Sequence, residues 1–170
     1  MSADPVVDAL VARLAIALRA HGASMVTAES CTGGLLAAAC TSLAGSSEWF
    51  ERGVVSYSNA AKTELLGVGA ELIARHGAVS AEVARAMVAG ALARSPAAFA
   101  VAITGIAGPG GGSADKPVGT VWLATAARDG AAESTLLRAA GDRDAIRRRS
   151  VVRSLELLLA RVEASPLASR

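Results

Sequence analysis

Apolar residues recur three or four positions apart at the start of the chain, from Val7 to Leu18, and this spacing predicts an amphipathic helix ending at Gly22. Short runs of β-favouring residues predict strands farther along, and helical spacing separates most of them. The predicted strands are 24–30, 53–58, 99–105, 118–128 and 133–140. The further predicted helices are 35–44, 60–67, 69–76, 81–94 and 143–163, with Asn59, Ser80 and Asp142 as caps.

The order of these elements predicts the fold class. Strands alternate with helices in the first two thirds of the chain, and the last two strands are joined by a turn at Asp129 and Gly130. This order is typical of a single three-layer α/β/α domain with a mostly parallel, mixed sheet of about five strands, one of them antiparallel. We expect the domain to occupy residues 1–165 and residues 166–170 to form a flexible tail.

Composition narrows the possible partners. No apolar run approaches the roughly 18 to 20 residues needed to cross a bilayer, and no basic stretch precedes the first apolar segment. We therefore expect a cytoplasmic protein with no membrane partner. The net charge of +2 does not indicate a nucleic-acid partner, and the arginines from Arg143 to Arg153 lack interleaved aromatic residues.

Cysteine and histidine are too sparse to predict a metal site. Cys31 and Cys40 are nine positions apart without the spacing of zinc ligands. His21 and His76 each precede a glycine at the end of a predicted helix, where capping explains them. The sequence thus predicts neither a metal nor a cofactor.

Polar residues are concentrated where two predicted strands end. The stretch "TAESCTGG" (27–34) places Glu29, Ser30, Cys31 and Thr32 between a strand and a helix, and Thr104 ends another strand. Ligands of open α/β sheets bind beyond the carboxyl ends of parallel strands. We therefore expect a binding site where these two loops are neighbours.

A glycine-rich loop follows Thr104, and its backbone is suited to an anion. Glycine permits the positive φ angles that turn several N–H groups toward one ligand, and Lys116 offers a countercharge. The glycines concerned are Gly105, Gly108, Gly110, Gly111 and Gly112. A flexible connection is the alternative interpretation. No GK[ST] sequence follows, so the pattern does not support ATP hydrolysis.

The last predicted helix carries arginine on its inward side. Its apolar stripe runs from Val151 to Val162, and steps of four residues back from Val151 reach Arg147 and Arg143. The planar guanidinium group suits a phosphate or a carboxylate. Pairing with nearby acidic side chains is the alternative.

Three residues are candidate nucleophiles, namely Ser30, Cys31 and Ser47. Lys62 with Tyr57 provides a metal-free base if burial or neighbouring groups lower the pKa of the lysine. The alternative is a packed Tyr57 and a surface Lys62. Because the chain is poor in histidine, a serine with a lysine base is favoured, and this favours hydrolysis of an acyl or amide bond.

Several motifs together resemble the CinA C-terminal domain family. They are "TAESCTGG", "GSSEWFERGVVSYSNAAK", "HGAVS", "ITGIAGPGGGS" with "KPVGTVW", and "GDRDAIR", in order over nearly the whole chain. The resemblance implies hydrolysis of the carboxamide of nicotinamide mononucleotide to nicotinic acid mononucleotide and ammonia, without a cofactor. It also implies a homo-oligomer. Larger members carry an additional N-terminal domain, which we expect this chain to lack.

The resemblance also assigns roles to residues. It implies catalytic roles for Ser30, Tyr57 and Lys62, with Ser47 as an alternative serine. It implies substrate contacts for Glu29, Cys31, Thr32, Gly33, Thr104, Gly105, Gly108, Gly110, Gly111, Arg143 and Arg147. Trp49 and Phe50 are interpreted as a stacking surface for the ring or as core anchors.

Some roles stay open at the level of sequence. The backbone N–H groups from Cys31 to Gly33 are a possible oxyanion hole. Glu29 has three possible roles: orienting Lys62, binding a substrate hydroxyl or accepting backbone N–H groups. A non-catalytic nucleotide-binding module, a thiol enzyme using Cys31 and an amidase acting on another small amide also remain possible.

Overall fold

The computed structural model describes residues 4–166. The elements are α1 Pro5–Ala20, β1 Met25–Glu29, α2 Leu35–Thr41, β2 Phe50–Val55, α3 Asn59–Leu66, α4 Ala70–His76, α5 Ala81–Ala93, β3 Phe99–Gly105, β4 Thr120–Ala127, β5 Glu133–Arg138 and α6 Arg143–Ala164. A short 3-10 helix, Ser46–Glu48, precedes β2. The first three residues of the predicted domain, and all of the predicted tail except Pro166, lie outside the described residues.

The five strands form one mixed sheet in the order β2-β1-β3-β4-β5. β1 is parallel to both of its neighbours, β2 and β3, whereas β4 is antiparallel to β3 and β5. One apolar cluster packs α1, α2 and α6 on one face, and a second packs α3, α4 and α5 on the other. The prediction of a three-layer α/β/α domain with one antiparallel strand is therefore confirmed.

The second strand lies earlier in the chain than predicted. β2 begins at Phe50, which pairs with Met25, and ends at Val55, whereas the sequence indicated 53–58. The predicted cap of α3 is wrong for the same reason: Ser58 is the N-cap, and its Oγ accepts a hydrogen bond from the Ala61 N–H. The shift leaves residues 56–58 beyond the strand end.

Alternation along β1 and β2 decides which residues face which layer. Ala28 and Val54 pack into the cluster that contains α3 and α5. Because successive side chains of a strand point to opposite faces, Glu29 faces α2. Ser30 and Ser56, next after Glu29 and Val55, therefore face the layer of α3. In the stretch from residue 4 to 166, no helix has the length and hydropathy of a membrane span.

Candidate active site

A pocket of about 260 Å³ lies beyond the carboxyl ends of β1, β2 and β3, where the sequence predicted a site. The loops after these three strands line it, together with the first turn of α3, the segment between α4 and α5 and the first residue of α6. The lining includes Ser30, Cys31, Tyr57, Lys62, Thr104, Gly105, Gly108, Gly110, Gly111 and Arg143. Ten of the fifteen residues proposed from sequence are thus brought together.

Ser30 and Lys62 form a close pair in this pocket, although 32 positions separate them in the chain. Lys62 Nζ lies 3.0 Å from Ser30 Oγ and donates a hydrogen bond to the Ser56 carbonyl oxygen at 2.9 Å. The Tyr57 carbonyl oxygen is 3.5 Å from Nζ. Only 1% of Lys62 is exposed, so the interpretation of this lysine as a surface residue is wrong.

Burial lowers the pKa of Lys62 below its ordinary value of 10.5, because desolvation penalises the ammonium form. The Cys31 thiol acts in the opposite direction and is the weaker influence. A lysine with a lowered pKa has a larger neutral fraction near pH 7. Its lone pair is then available to accept the proton of Ser30.

Close packing of α3 on α5 sets the position of Lys62. A Cβ atom added to Gly90 of α5 would lie 1.8 Å from the Leu66 carbonyl oxygen at the end of α3. Only glycine permits this approach of the two helices. Gly67 then ends α3 in the left-handed conformation, with φ of +67°.

Glu29 holds the turn that carries Ser30. Its carboxylate accepts hydrogen bonds from Thr32 Oγ1 at 2.7 Å, from the N–H groups of Gly34 and Leu36 at 3.1 Å, and from the Ala37 N–H at 2.8 Å. These donors include the free N–H groups at the start of α2, where a negative charge is favourable. Of the three roles considered, the structure supports the backbone contact, and substrate binding by Glu29 is not supported.

Cys31 lines the pocket but is poorly suited to nucleophilic attack. Its side chain is buried, and desolvation raises the pKa of the thiol to about 11. The thiolate is the reactive form of cysteine, and it is scarce near pH 7 at this pKa. The raised pKa of the thiol therefore favours Ser30 over Cys31 as the nucleophile.

Arg143 bridges two walls of the pocket. Its Nη1 donates to the Gly108 carbonyl oxygen at 2.7 Å, and its Nη2 donates to the Tyr57 hydroxyl at 3.0 Å. The Tyr57 hydroxyl thus contacts Arg143, while Lys62 approaches only the Tyr57 backbone. Tyr57 is 60% exposed, which leaves its ring open to solvent at the pocket mouth.

Three predicted contact residues support the turn from outside the pocket. Arg147 Nη2 donates to the Thr32 carbonyl oxygen at 3.0 Å, and its Nη1 is 3.7 Å from Asp144. The Thr32 side chain is buried against Glu29, and the Gly33 N–H donates to the Ser30 carbonyl oxygen at 2.9 Å. Gly33 is therefore not available as an oxyanion donor.

The segment that contains Ser47, Trp49 and Phe50 lies at the end of the sheet opposite the pocket, where β2 begins. These residues precede or begin β2, whereas the pocket lies beyond its end, and six residues of strand span about 20 Å. Trp49 is fully buried and packs edge-on against Phe50, with ring centroids 6.3 Å apart. The structure therefore excludes Ser47 from this pocket within one chain, and the two aromatic residues are core anchors.

The end of β3 and the glycine loop are fixed by contacts with the segment around α4. Thr104 Oγ1 donates to the Ala78 carbonyl oxygen at 2.8 Å, and Lys116 Nζ donates to the His76 carbonyl oxygen at 2.9 Å. Lys116 is thus held at the C-terminus of α4, away from the predicted role as a countercharge. Gly108 has φ of +78°, and a Cβ there would lie 2.6 Å from Val118.

Sequence reasoning missed several residues of the site. Asn59, Ala78 and Val79 line the pocket, and Ser56 holds the lysine through its carbonyl oxygen. Asn59 and Ser56 were assigned to a cap and a strand because β2 was predicted to end too late. The polar run Ser-Tyr-Ser-Asn at 56–59, directly after Val55, was the signal for a loop.

Elsewhere the structure has a larger groove of about 540 Å³ between α1, α2 and α6. It is mainly apolar, and its charged residues are Asp8 and the ion pair between Asp4 and Arg148. It contains no lysine or cysteine beside a hydroxyl group. Within residues 4–166, no three His, Cys, Asp or Glu side chains are grouped as a metal site requires.

Comparison with known proteins identifies the family. The model of the CinA C-terminal domain matches residues 7–162. A Pseudomonas putida protein named nicotinamide-nucleotide amidohydrolase PncC is 54% identical over 157 residues, which cover 92% of this chain and 96% of that protein. The Escherichia coli K12 protein of the same name is 53% identical over 142 residues, covering 84% of this chain and 86% of that protein.

A solved structure agrees with these matches. The competence/damage inducible protein CihA of Agrobacterium tumefaciens is 50% identical and superposes with a TM-score of 0.90, covering 94% of this chain and 98% of that one. The chain therefore belongs to the CinA C-terminal domain family.

Proposed function

We propose that this protein is a nicotinamide-nucleotide amidohydrolase that converts nicotinamide mononucleotide to nicotinate mononucleotide and ammonia in pyridine nucleotide recycling. The relatives named for this activity are 50 to 54% identical over most of the chain. The observation that carries the catalytic part of the proposal is the 3.0 Å contact between buried Lys62 Nζ and Ser30 Oγ.

In the first half of the reaction, Lys62 acts as general base and Ser30 as nucleophile. The neutral amine takes the Ser30 hydroxyl proton while Oγ forms a bond to the carboxamide carbon. Lys62 then gives that proton to the amide nitrogen, the C–N bond breaks and ammonia leaves. The product is an ester between nicotinate mononucleotide and Ser30.

In the second half, water replaces ammonia in the pocket. The neutral Lys62 takes a proton from this water, which attacks the ester carbon, and the C–O bond to Ser30 breaks. Lys62 returns the proton to Ser30 Oγ. The carboxylic acid so formed loses its remaining proton to the solvent and leaves as the carboxylate, and the enzyme is restored without a cofactor.

The N–H group of Cys31 is the proposed oxyanion donor. Within the described residues, it donates no hydrogen bond to another residue, whereas the Gly33 N–H is occupied. Cys31 directly follows Ser30, so its N–H lies close to the carbon that Ser30 attacks. Preorganised donors of this kind stabilise the negative oxygen of a tetrahedral intermediate.

Arg143 and Tyr57 are the proposed contacts for the rest of the substrate. The Arg143 guanidinium lines the pocket, and within the described part of the chain it bonds only neutral oxygens, so a phosphate is the stronger partner when present. The exposed Tyr57 ring lies in the same wall and offers a face to the cationic pyridine ring.

Ammonia release from nicotinamide mononucleotide, measured with a chelator present, tests the proposal. We expect chelator-resistant turnover by the wild type and its loss in Ser30→Ala and Lys62→Met. Ser47→Ala is the matched control, because it removes an exposed serine hydroxyl near the start of β2, at the strand ends opposite the pocket. This variant should retain turnover.

Two other results would each contradict part of the proposal. Mononucleotide bound by a folded wild type without ammonia release would leave a non-catalytic binding module. Loss of turnover in Ser47→Ala with retention in Ser30→Ala would reject Ser30 as the nucleophile. A panel of small amides tests whether the mononucleotide is the preferred substrate.

The proposal includes a cytoplasmic location and a homo-oligomer. Cys31 and Cys40 are both free thiols, which agrees with a reducing compartment. Val55 and Leu65 are large apolar residues on β2 and α3 that are 45% and 42% exposed, which supports association through this side. Light scattering coupled to size exclusion measures the oligomeric state.

A further inference from the structure

Ser56 is a buried residue beside the Ser30–Lys62 pair. Its N–H donates to the Glu29 carbonyl oxygen at 2.8 Å, so the pairing of β1 and β2 continues one residue beyond Val55. Alternation then directs its side chain toward the layer of α3, which also holds Lys62. The residue is completely buried and does not line the pocket.

The Ser56 hydroxyl has no hydrogen-bond partner among residues 4–166. Buried polar groups in native proteins are almost always paired, and each exception requires an explanation. The carbonyl oxygen of the same residue accepts a hydrogen bond from Lys62 Nζ at 2.9 Å. The Ser56 backbone is thus next to Lys62 Nζ. Rotation about the Cα–Cβ bond of Ser56 moves its unpaired hydroxyl between staggered positions beside the lysine.

The hydrogen-bond requirement of Lys62 changes during the reaction. The neutral amine has two N–H groups and a lone pair that faces Ser30 Oγ. The ammonium ion has three N–H groups, one of which points to Ser30 and one to the Ser56 carbonyl oxygen. For the third, residues 4–166 offer only the Tyr57 carbonyl oxygen at 3.5 Å, which is too long for a good hydrogen bond.

We propose that Ser56 is a positioning residue whose hydroxyl rotates to accept the third N–H of Lys62 once the lysine has taken the Ser30 proton. It stabilises the ammonium form at the transition state without touching the substrate. This inference rests on the proposed function, because it concerns the lysine base of that reaction.

The other charged and ionisable groups around Lys62 do not supply the missing acceptor. Cys31, Tyr57 and Arg143 line the same pocket, and the Tyr57 hydroxyl is bonded to Arg143. The Glu29 carboxylate is bonded to α2, and Arg94 of α5 donates to Leu66 at the other end of α3. From α4, Glu71, Arg75 and His76 do not line the pocket.

The test compares Ser56→Ala with Ser56→Thr, which keeps a hydroxyl and suits a strand end. Ser154→Ala is the matched control, because Ser154 is also fully buried but lies in α6 and bonds to Ser150. Ammonia release gives kcat, KM and the pH profile. The chain has two lysines, so NMR of ¹³Cε-lysine resolves the titration of Lys62, with Lys116→Arg assigning the signals.

We expect Ser56→Ala to lower kcat about 10- to 100-fold, the loss of one charge-assisted hydrogen bond, with KM unchanged. The Lys62 titration and the acidic limb of the pH profile should both move to lower pH, since the ammonium form has lost an acceptor. Ser56→Thr should restore both. The melting temperature of Ser56→Ala should not fall, because no hydrogen bond of the resting state is removed.

Unchanged kcat and an unchanged Lys62 titration in Ser56→Ala would overturn the inference. So would a fall in kcat that accompanies a fall in melting temperature while the titration is unmoved, because that pattern indicates a purely structural role. If the wild type releases no ammonia, the proposed function fails on its own. The NMR titration still decides whether the Ser56 hydroxyl contacts Lys62.

Discussion

Replacement of Glu29 by glutamine tests whether this carboxylate holds the Ser30 turn. Oε2 accepts hydrogen bonds from Thr32, Gly34 and Leu36, and Oε1 accepts one from Ala37. A glutamine has only one oxygen, so its NH₂ group must face at least one of these donors. Glu29→Gln therefore loses one bond completely and removes the charge from the other three.

The expected cost follows from this count. A hydrogen bond to a charged group contributes about 1.5–3 kcal/mol, and a neutral one about 1 kcal/mol less. The lost bond and the three weakened bonds together lower the free energy of unfolding by about 4 kcal/mol or more. For a chain of this length, that corresponds to a fall in melting temperature of about 8–16 °C.

Thermal unfolding followed by circular dichroism or calorimetry measures the effect. Glu163→Gln is the control, because its exposed carboxylate is 3.4 Å from Arg13 and its loss should change the melting temperature by no more than about 2 °C. A melting temperature for Glu29→Gln within about 3 °C of the wild type would refute the assignment, since it would mean the four bonds contribute little.

Further predictions concern the pocket. Lys62→Met should lower kcat by about 10²- to 10⁴-fold, the contribution of a general base. Because the folded-state pKa of Lys62 is below 10.5, wild-type stability should rise with pH between that lowered pKa and 10.5, and the variant should lose this rise in unfolding measurements across that window. Arg143→Lys should raise KM for the mononucleotide about tenfold and leave KM for the nucleoside without phosphate unchanged, as steady-state kinetics will show. Cys31, whose thiol pKa is about 11, should be alkylated slowly at pH 7.5, and mass spectrometry should show faster labelling only as the pH approaches that value.

The sequence was informative for several elements whose structure is decided by a local pattern. β3 has the predicted bounds, and Ser80 and Asp142 cap α5 and α6 as their positions indicated. The apolar stripe of α6 is buried at the predicted residues, including Val151 and Val162. These features depend on spacing and capping, which act over a few neighbouring residues.

Partners across the fold were harder to predict. Arg143 and Arg147 are one turn apart on the same helix side, yet one reaches the pocket and the other reaches a carbonyl oxygen behind the turn. The family resemblance placed Glu29 among the substrate contacts, whereas its carboxylate faces α2 and accepts N–H groups at the start of that helix. In both cases the hydrogen-bond partner of the side chain depends on which backbone groups tertiary packing leaves unpaired. The spacing of residues along the chain does not contain that information.

The Ser30–Lys62 pair joins the two layers of the protein. Ser30 begins a turn that is held by α2 on one face of the sheet, whereas Lys62 belongs to α3 on the other face. Turnover therefore requires both apolar cores to be intact at the same moment. A measurement of turnover thus reports whether the two cores unfold together. In a denaturant titration, loosening of either core should abolish ammonia release even while the helices of the other core still contribute to the circular dichroism signal.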